Sequence, residues 1–295
     1  MTTAAKKKAQ SNRGTLFVED GELISTRTYP GEQFIMRIRA PKCAAAAVPG
    51  SFVHVTCDAT LPMRRPLSIM RADDDWIEVL YKIVGEGLHL LADKKPGDTI
   101  NVLGPVGQPF KPSPNRPKCL LIGGGVGIPP MVFLAETLFD KQWAPLAILG
   151  SELPFPFSLE RSSIELSWLD DDIVSTMPLL EGWGVPTRLA SLSGFDGCYR
   201  GYVTDLADKW LQGLGSDERR QVEIFACGPT PMLKAVAALA AQYDVPCQVS
   251  LEEFMACAVG GCAGCTVEIV TPDGPAMKRV CVDGPVFDAT TVVWN

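Results

Sequence analysis

The stretch Lys118-Cys119-Leu120-Leu121-Ile122-Gly123-Gly124-Gly125-Val126-Gly127-Ile128-Pro129-Pro130 decides the fold. A short apolar run ends in a glycine turn, and a helical stretch from Pro129 to Lys141 follows. Pro145-Leu146-Ala147-Ile148-Leu149-Gly150 then reads as a second buried strand. Strand, glycine turn, helix and strand make a βαβ unit, which builds a parallel sheet. The turn stands between strand and helix, where a dinucleotide site needs it, although it is not the G-x-G-x-x-G pattern. A tight turn with Pro129 at a helix start is the competing reading. Val222-Glu223-Ile224-Phe225-Ala226-Cys227, Gly228-Pro229 and a helical stretch from Thr230 to Tyr243 repeat the arrangement. In a parallel sheet both turns face one crevice. Between them, Glu152 to Ser216 carries prolines, aromatics and the acidic run Asp170-Asp171-Asp172, and reads as loops and short helices.

Upstream the grammar is different. Gln33 to Arg39, Ser51 to Val55 and Trp76 to Ile83 alternate apolar and polar residues between Pro/Gly turns. Period-2 alternation predicts half-buried antiparallel strands, and several at this spacing predict a small barrel. Gly87 to Lys94 reads as one short helix within it. His54 and His89, in strand and helix patterns, read as structural. Lys111-Pro112-Ser113-Pro114-Asn115-Arg116-Pro117 is a stiff linker and a domain boundary.

Downstream, Cys257-x4-Cys262-x2-Cys265 is followed by a distant Cys281. This is the plant-type [2Fe–2S] spacing. Soft thiolates suit iron–sulfur clusters, and Gly260, Gly261 and Gly264 let the backbone curl and aim N–H groups at sulfur. Thr266 to Val270 and Lys278 to Val282 flank Pro272-Asp273-Gly274 as a hairpin that returns Cys281 beside Cys265. A structural zinc site competes, but zinc more usually takes paired C-x2-C knuckles. The other cysteines of the ten are scattered and read as small buried hydrophobes.

Composition narrows the function class. The net charge is −7, and the only basic run, Lys6-Lys7-Lys8, has no interleaved aromatics, which excludes a nucleic-acid surface. No apolar segment follows that run, so it reads as a solvated tail rather than a secretion signal. The longest apolar stretch, Cys119 to Ala135, is broken by four glycines and two prolines and cannot span a membrane. A cytoplasmic location is expected.

In the barrel region Arg64-Arg65-Pro66-Leu67-Ser68 ends a strand. Arginine offers a planar fork to a pyrophosphate, and the serine can face a flavin ring edge. Gly85-Glu86-Gly87-Leu88 opens a short helix whose N-terminus suits phosphate.

Taken in order, Arg-Pro-Leu-Ser, Gly-Gly-Gly-Val-Gly-Ile-Pro-Pro and Cys-Gly-Pro-Thr-Pro-Met resemble the ferredoxin–NADP reductase superfamily. Ser250 to Cys257 and Arg279 to Phe287 narrow this to the electron-transfer subunits of NAD-dependent dihydroorotate dehydrogenases. The resemblance spans roughly Thr15 to Ala289. It implies an α+β multidomain chain: an antiparallel β-barrel FAD domain over 14–112, an α/β parallel-sheet NAD-binding domain over 116–245, and a small [2Fe–2S] module over 246–295. It implies FAD at Arg65, Pro66, Leu67, Ser68, Leu80, Tyr81, Lys82, Gly87 and Leu88, and NAD at Gly124, Gly125, Gly127, Cys227 and Gly228. The cluster would sit on Cys257, Cys262, Cys265 and Cys281. The implied partner is an FMN-containing dihydroorotate dehydrogenase chain of pyrimidine biosynthesis, in a hetro-oligomer that passes its electrons through cluster and FAD to NAD. A subunit of another NAD(P)H-linked complex and a cluster-based redox sensor share these motifs. Leu88 departs from the family's usual threonine, and 152–192 is longer and more acidic than usual. Glu152, just past the second strand, reads as a solvated loop charge or, by analogy with Rossmann sites, as a partner for an NAD ribose hydroxyl.

Overall fold

The computed structural model describes residues 15–294. The Lys6–Lys8 run, and residue 14 as the expected start of the first domain, lie outside them. β1 (Phe17–Tyr29), β2 (Gln33–Arg39), the short helix α1 (Pro41–Ala46), β3 (Phe52–Val55), β4 (Arg65–Asp73), β5 (Trp76–Lys82), α2 (Gly85–Ala92) and β6 (Thr99–Val106) come first. The six strands close into a barrel in the order β1-β2-β5-β4-β3-β6, every pair antiparallel. Strand alternation explains its core. Val53, Val55, Leu67 and Ile69 point inward with Ile77, Val79 and Ile100, while their sequence neighbours point out.

The second half begins with β7 (Lys118–Gly124), a 3-10 turn (Gly125–Gly127), α3 (Ile128–Leu138) and β8 (Ala144–Gly150). Then come β9 (Glu160–Arg161), β10 (Ser175–Thr176), α4 (Pro178–Gly182), β11 (Thr187–Ala190), α5 (Val203–Gly213), α6 (Ser216–Arg219), β12 (Val222–Cys227), α7 (Thr230–Gln242) and β13 (Cys247–Ser250). The chain finishes with β14 (Thr266–Thr271), β15 (Gly274–Arg279) and β16 (Val286–Asp288). The large sheet runs β11-β8-β7-β12-β13-β16, parallel except for β16. β7 is buried on both faces, with Leu120 and Ile122 toward one core and Cys119 and Leu121 toward another. That double burial is why its sequence reads as a continuous apolar run.

Two findings depart from the expected organisation. The 152–216 region is more than loops, because it supplies the buried strand β11 and the eleven-residue helix α5. The residues from 246 onward, expected as one module, are shared between the large sheet and a hairpin of their own. β13 pairs with β12, and β16 pairs with β13, so only the hairpin β14–β15 and the cysteine loop stand outside the large sheet.

Helix α3 joins the halves. Phe133 enters the barrel core, and Glu136 meets Arg71 of β4 at 2.5 Å. The Arg71 guanidinium also lies over the rings of Trp76 and Trp183. Such stacking on desolvated cations adds about 1 kcal/mol to each contact. The proline-rich 111–117 segment is pinned as well: Glu223 accepts from Ser113 N–H, and Gln248 both donates to and accepts from the Lys111 backbone.

Candidate functional site

The first candidate site lies on the outer face of β3 and β4. Their register pairs Phe52 with Ser68 and His54 with Pro66. Opposed residues share a face, so these four side chains point away from the barrel core. Pro66 and Ser68 remain half-exposed. The Arg65 guanidinium reaches helix α2, twenty residues along the chain, and lies so close that a Cβ on Gly87 would stand 3.1 Å from it. Its Nη1 donates to Met63 O at 2.9 Å. Arg64, by contrast, is committed to the barrel through His54 O and Asn101. Helix α2 has no side-chain N-cap. An uncapped helix start beside a guanidinium is a cradle for a doubly charged phosphate group, so the donors present fit the pyrophosphate of FAD.

Not every expected residue reaches this cradle with its side chain. Leu67 and Leu88 are in the barrel core. Tyr81 stacks on Phe34 inside the barrel, with ring centroids 5.4 Å apart, and Leu80 packs under α3. Of the three expected residues on β5, Leu80 and Tyr81 are buried and Lys82 alone presents side-chain surface. The leucine that replaces the family's threonine is thus used for packing.

The second candidate site sits at the carboxyl ends of β7 and β12, which run side by side with Cys227 opposite Gly123. From β7 the chain proceeds to β8 and β11 on one side, then returns to β12 on the other. This is the topological switch point where open parallel sheets bind ligands. The structure brings Gly124, Gly125, Gly127, Cys227 and Gly228 together here. A Cβ on Gly127 would collide with the Cys227 carbonyl, and one on Gly124 would meet Met232 Sδ at 2.5 Å. Gly125, with φ +55, has open space above it. Bare backbone at the end of two strands lets a dinucleotide approach closely. Glu152 is exposed two residues past Gly150, the register partner of Gly124. Glu252, just past β13, faces the same region. Burial, with the Glu252 charge, pushes up the Cys227 thiol.

The third candidate site is the loop from Cys257 to Cys265, with Cys281. Cys265 stands at the start of β14 and Cys281 just past β15, and Val280 N–H to Cys265 O at 2.8 Å ties the two ends together. The loop turns through Ala258 and Ala263, each at φ 54, and Gly260 at φ 80. Its curl aims N–H groups inward: Cys262 N–H donates to Cys257 Sγ and Gly264 N–H to Cys262 Sγ, both at 3.4 Å. Burial opposes ionisation of Cys257, but the N–H groups of Val259, Cys262 and Gly261 prevail and bring its thiol to about 7. Burial and the neighbouring Cys265 push Cys281 to about 12. Arg279 braces the loop from behind, donating to Gly260 O and pairing with Asp283.

Among the described residues, no three His, Cys, Asp or Glu side chains converge on one metal point. The thiols instead face each other as Cys257 with Cys262 and Cys265 with Cys281. Two neighbouring pairs suit a two-iron cluster better than one tetrahedral zinc.

The arrangement unites the three sites. Phe52, beside Ser68 on the flavin face, packs in one core with Ala258, Cys265 and Cys281. A closed barrel, a parallel sheet with bare turns at its switch point and a thiol loop against the barrel define a reductase of the ferredoxin–NADP reductase class with an added iron–sulfur module.

Comparison with known proteins agrees. Residues 252–293 match the family described as the iron–sulfur cluster binding domain of dihydroorotate dehydrogenase B. The dihydroorotate dehydrogenase B (NAD(+)) electron transfer subunit of Desulforamulus reducens is 32% identical, over 94% of this chain and 99% of its own. That of Bacillus caldolyticus is 33% identical, over 95% and 98%. A solved NADH-dependent reduced ferredoxin-NADP oxidoreductase superposes with a TM-score of 0.74 at 27% identity, over 94% of this chain and 90% of that one. A ferredoxin reductase of carbazole 1,9a-dioxygenase shares the fold, with a TM-score of 0.60 at 20% identity over 78% and 67%. The chain belongs to the family of dihydroorotate dehydrogenase B electron transfer subunits.

Proposed function

We propose that this chain carries electrons between NAD and a catalytic, FMN-containing dihydroorotate dehydrogenase subunit in pyrimidine biosynthesis, with FAD and one [2Fe–2S] cluster as its resident cofactors. The observation that carries the reading is the shared face of β3 and β4. There the candidate flavin residues Pro66 and Ser68 stand beside Phe52, which belongs to the same buried core as Cys265 and Cys281. Bound FAD exchanges hydride with a nicotinamide and single electrons with a cluster; that chemistry is the cofactor's own.

What the chain supplies is placement. Arg65 and the start of α2 hold the pyrophosphate, while Pro66 and Ser68 orient the ring. Gly124, Gly125 and Gly127 let the dinucleotide lie against the backbone, with Cys227 and Gly228 beneath the nicotinamide. Cys257, Cys262, Cys265 and Cys281 ligate the cluster, with Cys262 the most exposed of the four. The domains are 15–110 for FAD and 116–250 with β16 for NAD, with the cluster module between β13 and β16. No described helix is long and apolar enough to cross a membrane, and a cytoplasmic setting suits a chain whose cysteines are all free.

The test is the visible spectrum of anaerobically purified protein before and after NADH. Flavin bands and broad iron–sulfur absorption that both bleach are expected. A flavin spectrum alone, with zinc by metal analysis, would overturn the reading.

A further inference from the structure

Among the described residues, the one side chain left with two buried polar atoms unpaired lies at the junction of two of the candidate sites. His54 is 0% exposed, and neither ring nitrogen has a hydrogen-bond partner. It stands opposite Pro66 on the outer face of β3, where the backbone carbonyls of Arg64 and Met255 face the ring. Arg64 precedes the flavin motif, and Met255 leads into the cysteine loop. Burial and the nearby Arg64 guanidinium lower the imidazole to about 4, so the ring is neutral and carries one N–H. A group that touched a bound ligand would show surface in the ligand-free chain, and His54 shows none. It therefore acts within the protein. An apolar residue of similar size would avoid leaving two buried polar atoms unpaired, so stability gives no reason for histidine here.

We propose that His54 is a positioning residue that seats the Met255 segment, and with it the cluster loop, against the flavin strand. The inference rests on the electron-transfer reading above. The single N–H has an acceptor on each side of the junction. Both carbonyls lie near the ring without closing a bond in the ligand-free chain; closing it to the Met255 carbonyl in the loaded protein ties the loop to β3, whose Phe52 lies in the core that Met255 packs against. His54 and Phe52 come from one four-residue strand, so the spacing between the two cofactor sites is set by β3.

The test uses the FAD- and cluster-loaded protein and two variants, His54→Leu and His54→Gln. Flash photoreduction of the flavin removes hydride transfer from the measurement and reads the flavin-to-cluster rate directly. Iron content, FAD content and thermal midpoint are measured alongside. For His54→Leu we expect both cofactors retained, a midpoint no lower than the parent's, and transfer roughly tenfold slower, the scale of loss that small misplacement brings. His54→Gln, which keeps an N–H donor, is expected to restore most of the rate. Transfer at the parent rate in His54→Leu would overturn the inference. If that variant loses iron, His54→Gln decides: parent-like iron and rate support the inference, and a matching iron loss overturns it. Failure of the parent itself to reduce its cluster would instead sink the electron-transfer reading.

Discussion

Gly124 and Gly127 of the dinucleotide turn and Gly261 and Gly264 of the cluster loop are needed for opposite reasons, while Gly260, where a Cβ would meet Val282 Cγ2 at 2.6 Å, belongs with the first pair. At Gly124 and Gly127 the absent side chain makes room for protein. Met232 fills one space and the Cys227 carbonyl the other. At Gly261 an added Cβ would meet nothing within 4 Å, and at Gly264 only Cys262 Sγ at 3.6 Å. The first turn is shaped by what lies beneath it, between two buried strands. The second is shaped by what it wraps, since its N–H groups point at sulfur. One is therefore a packed feature of the fold, complete without its ligand. The other is a curl braced from behind by Arg279, with its N–H groups aimed at sulfur.

Substitution separates the two modes. The largest effect is expected for Cys265→Ser, which should abolish iron–sulfur absorption while FAD content stays at the parent level. Concurrent loss of FAD would show that the loop supports the barrel more than this contrast allows. Gly127→Ala should cost about 2–3 kcal/mol of stability, because the rigid Cys227 backbone cannot yield. Thermal unfolding checks this, and a parent-like midpoint would show the turn is looser than its contacts suggest. Arg65→Ala tests a site of intermediate kind, part strand and part uncapped helix. Loss of a charge-assisted contact should weaken FAD roughly 10- to 100-fold, measured by flavin release on dilution, with the iron content unchanged. The smallest effect is expected for Gly261→Ala. In the apoprotein it should shift stability by under about 0.5 kcal/mol, and a cost comparable to Gly127→Ala would erase the distinction.

How far each part could be read from sequence follows from the same physics. The barrel strands announce themselves because one face of each is buried, as in Gln33 to Arg39. β7 and β12 do so because both faces are. β11 does not, since Thr187 and Arg188 look polar. Arg188 is nonetheless buried, its guanidinium satisfied by the carbonyls of Ile164, Ile173 and Thr187, partners that no local pattern reveals. Helix α5 did carry a signal, Val203, Leu206, Ala207 and Leu211 on one face, obscured by the aromatic and glycine-rich stretch before it. The cysteine spacing is local and was readable outright. The Arg65–Gly87 contact joins distant segments, and a lone histidine in an alternating strand gives no hint that His54 would be buried with both ring nitrogens unpaired.

β16 is three residues long and lies against β13, antiparallel, with Val286 opposite Ser250. Neighbouring strands stand only about 5 Å apart, so everything between them is, in topological terms, one long hairpin connection. A stop codon after Ser250 would strip away β16 and leave β13 as an open edge, an invitation to aggregation. Replacing the intervening residues with a tight two-residue turn would instead keep the sheet capped. Whoever wishes to graft, swap or delete the metal-binding unit should therefore treat it as an internal cassette with two splice points.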